Sequence, residues 1–85
     1  MNNIDKSTRF SNLKAMERLM ITLGGKEGLM IWMGALPEDV TISPVGGVSN
    51  ESLMAVAEDD KLYKAAVKVF AEYMGPVLKK IASEV

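Results

Sequence analysis

The stretch Leu23-Gly24-Gly25-Lys26-Glu27-Gly28 sets a glycine cluster against a lysine, the ingredients of a loop that cradles phosphate. Its spacing does not fit that chemistry. A phosphate loop follows a strand and closes on Gly-Lys and then Ser or Thr, whose hydroxyl holds magnesium. Here Glu27 follows Lys26, and the residues before Gly24 have helical spacing. The stretch predicts a turn between two helices. Glu58-Asp59-Asp60 gathers three carboxylates that could hold a hard cation through oxygen. The alternating ligands and closing glutamate of a calcium loop are missing, and three acids suit a helix start, so the stretch reads as a helix junction.

Neither histidine nor cysteine occurs in the 85 residues. That removes the commonest general base, the thiolate nucleophile and the usual transition-metal ligands. Eleven carboxylates make chance acid pairs unavoidable, and only Glu27, beside the apolar run from Leu29 to Leu36, sits where burial would raise a pKa. The chain is expected not to be an enzyme and to carry no cofactor or metal. Glu51-Ser52-Leu53 resembles, in two residues of three, the Asp-Ser-Leu of acyl carrier proteins, whose serine carries a pantetheine arm. The long helical segment ending this chain does not suit that fold.

The elements that would position any site are helical. Leu13, Met16, Leu19, Met20 and Leu23 recur at three and four residues, predicting a helix over about 11–24, after a loose lead-in over 1–10. Ser7, Ser11 or Asn12 would cap it, and Gly24-Gly25 would end it. Residues 26–36 read as a short buried helix containing Trp32, with a central strand as the alternative, because a run apolar all round has no period. Pro37 breaks it. Residues 37–48 read as a long loop: Val40 and Ile42 alternate like a strand, but Pro44 and Gly46-Gly47 interrupt them and no second strand is in view. A third helix is predicted over 50–58, capped by Ser49 or Asn50, and a fourth over 60–84, capped by Asp59 or Asp60 and kinked at Gly75-Pro76.

The expected fold is therefore all-α: one domain over residues 1–85, a small bundle of three to four helices with a long, kinked C-terminal helix. Its core should bury Leu13, Met16, Leu19, Leu23, Ile31, Trp32, Leu53, Val56, Leu62, Val69, Phe70 and Tyr73. The seven methionines read mainly as core filling. No apolar run approaches the ~20 residues that span a bilayer, and the N-terminus lacks a signal-peptide core, so a cytoplasmic location is expected.

The last helix carries the functional expectation. On a helical wheel its apolar arc is about 200° wide, against the ~100° one core requires. Covering it from two sides suggests a second copy or another protein, with Tyr63, Val67, Phe70, Met74 and Leu78 as the contact residues. The chain reads as a non-enzymatic interaction module, regulatory or structural, self-associating through this helix as a homodimer. A fold of the 37–48 loop over the arc would instead close a monomer. Charge is segregated. Lys6, Arg9, Lys14, Arg18 and Lys26 outnumber Asp5 and Glu17 over 1–26, residues 27–60 carry only acids, and Lys61, Lys64, Lys68, Lys79 and Lys80 outnumber Glu72 and Glu84 after that. The alternative reading is a weak nucleic-acid-binding regulator using Lys61, Lys64 and Lys68.

Overall fold

The computed structural model describes residues 5–84 and is all-α. Helix α1 spans Lys6–Gly34, α2 spans Asn50–Glu58 and α3 spans Asp60–Ser83, and each packs on the other two. The molecule is a slab of 37 × 35 × 18 Å, about two helix layers thick.

Helix α1 starts earlier than the apolar spacing predicted. Asp5 caps it, accepting from the Thr8 amide at 2.8 Å. Residues 6–10 are thus helical, not a loose lead-in, and Ser7, Ser11 and Asn12 lie inside the helix. Gly25 then breaks it, with φ 59 and ψ −142. These are dihedrals that glycine adopts at no steric cost. The turn foreseen at Gly24-Gly25 is therefore present, as a break between two arms, 6–24 and 26–34. The second arm folds back along the first: Gly28 lies on the backbone of Met20, and Trp32 reaches Glu17. A Cβ on Gly28 would fall 2.0 Å from the Met20 carbonyl oxygen, so only glycine permits this approach. The 29–36 run is helix as far as Gly34, not strand.

The 37–48 loop pairs with itself. Ile42 and Val48 form a single antiparallel bridge, and positive-φ Gly46 and Gly47 make the turn between them. The loop packs onto α1 rather than over α3, where the Val48 amide donates to Glu17. Ser49 caps α2, as expected, accepting from the Ser52 amide. Asp59 caps α3, accepting from the amides of Lys61 and Leu62. Helix α3 runs through Pro76 as one element, although proline supplies no donor for the Glu72 carbonyl.

Leu13, Met20, Trp32, Leu53, Val56 and Met74 are the largest wholly buried side chains, joined by Met16, Leu36, Val48, Ala57, Tyr63 and Ala66. Burying each large apolar side chain contributes about 1.5–3 kcal/mol. Leu19 and Leu23, expected in this core, are exposed at 41% and 39%. The buried face of α1 follows Leu13, Met16, Glu17 and Met20, at i, i+3, i+4 and i+7, and it passes through a carboxylate. Ile31, Leu62, Val69, Phe70 and Tyr73 are half-buried.

Candidate functional site: a groove between α1 and α3

The first arm of α1 and α3 run in the same direction. Arg9 meets Asp60 at one end, and Gly24 lies against the Tyr73 hydroxyl at the other. Between these points the helices diverge enough to leave an open groove of about 490 Å³. Asn12, Ala15, Met16 and Leu19 form one wall, at i, i+3, i+4 and i+7. Tyr63, Val67, Phe70 and Ala71 form the other, at i, i+4, i+7 and i+8. Each set is one face of a helix. Buried Met16 and Tyr63 form the floor, Leu19, Val67 and Phe70 supply apolar surface, and Ala15 and Ala71 keep the rims low.

A polar cluster closes the end near the start of α3. The Arg9 guanidinium lies 4.6 Å from the centre of the Tyr63 ring and donates to Asp60 at 2.8 Å. Asn12 donates to the Tyr63 hydroxyl at 3.0 Å. Asp60 also pairs with Lys64 at 3.0 Å. The hydrogen bond from Arg9, and then that from Lys64, hold the Asp60 carboxyl below the usual carboxylate range. The acidic junction is thus occupied by structural roles: Glu58 faces Lys6, Asp59 caps α3, and Asp60 joins the two helices.

Of the five contact residues expected from the α3 wheel, three reach this groove: Tyr63 as floor, Val67 and Phe70 as wall. Met74 does not, since it is 1% exposed and belongs to the core. The arc drawn on the wheel is covered there by the chain itself. Leu78, half exposed, lies outside the groove. The α1 wall was missed, although Asn12, Ala15 and Leu19 repeat beside the Leu13 face. Lys61, Lys64 and Lys68 are all exposed.

Glu17 was not foreseen either. Its side chain is buried, and Oε2 accepts from the Trp32 indole and from the Val48 amide, each at 3.0 Å. One oxygen thereby ties both arms of α1 to the loop. The Ser52 hydroxyl accepts from the Thr41 amide at 2.9 Å, so it braces the loop against α2. Among the described residues no three acids come together as a metal site, and no helix is long and apolar enough to cross a membrane. No family model matches the chain, nor does any curated protein or solved structure.

Proposed function

We propose that this chain is a protein–protein interaction module that works by contact, with the groove between α1 and α3 as its docking surface. The observation that supports it is the groove itself: an open apolar trough walled by two helix faces, on a chain without histidine or cysteine. Apolar concavities on small domains are the usual seats of partner side chains. Two parallel walls suit an inserted helix.

Self-association through α3 is supported less well than docking of a different protein, because Tyr63, Ala66 and Met74 of the α3 arc are already buried within the chain. The nucleic-acid alternative has less support still. Lys64 is tied to Asp60, and no aromatic residue stands among Lys61, Lys64 and Lys68 to stack on a base except Tyr63, which is buried under Arg9.

Selection of helical peptides from a displayed library, followed by amide chemical-shift mapping, tests the proposal. Selected peptides should perturb Leu19, Val67 and Phe70, and Val67→Lys, at a half-buried wall position, should abolish binding while leaving the helical circular dichroism intact. Perturbations confined to other surfaces would overturn it.

A further inference from the structure

We infer that the chain carries a second site, on the side of α1 turned away from the groove, for a small zwitterion of the free α-amino-acid type. Glu17 carries the argument. Its side chain is 8% exposed, and Oε2 already accepts from Trp32 and Val48. Oε1 makes no hydrogen bond among the described residues, yet it is not sealed in: Arg9 Nε is the one wholly buried side-chain polar atom without a partner among them. Gly47 lies against Oε1, where a Cβ would come within 3.0 Å, so the glycine leaves this oxygen room. No Lys or Arg pairs with Glu17 among the described residues. A carboxylate so far removed from water, held only by uncharged donors, is short of a counter-charge. An ammonium on Oε1 supplies it.

Two clefts, of about 350 and 230 Å³, are both bordered by Glu17, Lys14 and Gly46. The smaller also takes in Arg18, Ile21 and Thr22. By helical rotation Lys14, Glu17, Arg18 and Ile21 share one side of α1, opposite Asn12 and Leu19 of the groove. Lys14 is engaged by Asn50 at 3.0 Å. Arg18 is exposed and forms no ion pair among the described residues, with Glu17 or with any other acid. A guanidinium suits a carboxylate through two parallel hydrogen bonds. The cleft therefore offers an unpaired carboxylate oxygen and an unpaired guanidinium on consecutive residues, with the Thr22 hydroxyl beside them. A bare anion would meet Glu17 and a bare cation would meet Arg18, whereas an ammonium and a carboxylate on one carbon answer both. An aliphatic side chain on that carbon would lie on Ile21. At about 230 Å³ the cleft is below the ~300–1,000 Å³ of drug-sized sites, which limits the ligand to a small molecule.

The test uses the full chain, isotopically labelled for amide chemical-shift mapping, and three probes. These are L-valine, isobutylamine, which lacks its carboxylate, and isovalerate, which lacks its ammonium. The reporters are the Trp32 indole N–H, whose acceptor is Glu17, and the amides of Gly46 and Gly47. L-Valine should shift them saturably at millimolar concentration, and each fragment should bind about tenfold or more weakly. Glu17→Gln, which keeps an acceptor for Trp32 and Val48, should lose about tenfold or more in affinity with the helical circular dichroism unchanged. Arg18→Gln, at an exposed position, should lose a similar factor with the melting temperature unchanged. Isobutylamine binding as tightly as L-valine would make this a plain cation site, isovalerate doing so would make it an anion site, and either result would overturn the inference. So would shifts at Val67 and Phe70 instead, binding indifferent to both variants, or no saturable shift below about 10 mM L-valine.

Discussion

The Trp32 indole N–H donates to Glu17 Oε2 across 3.0 Å, inside the core, and the same oxygen receives the Val48 amide. A buried carboxylate oxygen that satisfies two donors from separate segments is costly to remove, because both donors are then left without a partner. Glu17→Leu is expected to destabilise by about 2–4 kcal/mol, and Glu17→Gln, which keeps a carbonyl acceptor, by only about 0.5–1.5 kcal/mol. Urea unfolding followed by Trp32 fluorescence measures both. A Glu17→Leu protein as stable as the native chain would show that the bond carries no net stability.

Gly28 and Gly34 should respond oppositely to the same change. A methyl at Gly28 meets the Met20 carbonyl oxygen, which is backbone and cannot turn aside, whereas nothing lies within 4 Å of one at Gly34. Gly28→Ala is expected to cost about 3 kcal/mol or more. Gly34→Ala should be neutral or gain up to about 1 kcal/mol from helix propensity. Thermal melts of the two variants side by side decide it, and similar shifts in both would refute the close packing of the two arms.

Leu13 and Leu19 test which face of α1 is buried. Leu13 is fully buried and Leu19 is 41% exposed. Leu13→Ala should therefore cost about 2–5 kcal/mol, and Leu19→Ala about 1 kcal/mol or less. The reverse order in chemical denaturation would mean that the groove is closed and the helix rotated.

Acid should loosen the junction of α1 and α3. The Arg9 hydrogen bond lowers the Asp60 pKa from 3.8, and the Thr8 amide lowers that of Asp5. A carboxyl whose folded pKa lies below its unfolded one contributes stability that is complete above the unfolded value and is lost as pH falls through the folded value. Both groups are exposed, so the effect is small. Asp60→Asn should flatten the fall in melting temperature below about pH 4. An unchanged acid limb in that variant would remove Asp60 from the account.

The parts of the fold legible in the sequence were those written locally. Ser49 followed by Glu51 announced the start of α2, Gly24-Gly25 announced the break in α1, and Asp59 announced the start of α3. The start of α1 was not announced by apolar spacing, because Lys6, Ser7 and Thr8 contribute none and the signal there is a single capping aspartate. The buried face was misjudged by one step because a core position is filled by Glu17, whose role depends on two donors 15 and 31 residues away. The α3 half of the groove could be read from Val67 and Phe70, since their helix is strongly two-faced. The α1 half could not, because nothing local says which helix will lie beside α3. For the same reason a wheel could not divide the wide arc into the part around Met74 that the rest of the chain buries and the part left open.

The fold-back of α1 at Gly25 also bears on the order of folding. Its defining contacts, Gly28 with Met20 and Trp32 with Glu17, join residues 8 and 15 apart, whereas Arg9–Asp60 and Asn12–Tyr63 each close 51 residues. Short closures cost less chain entropy and form sooner. The hairpin of the two arms should therefore be the nucleus, with α3 docking late. In stopped-flow kinetics Gly28→Ala should then mainly slow refolding, and Tyr63→Phe should mainly speed unfolding. On that sequence of events the groove is the last feature to exist, since one of its walls arrives only with α3.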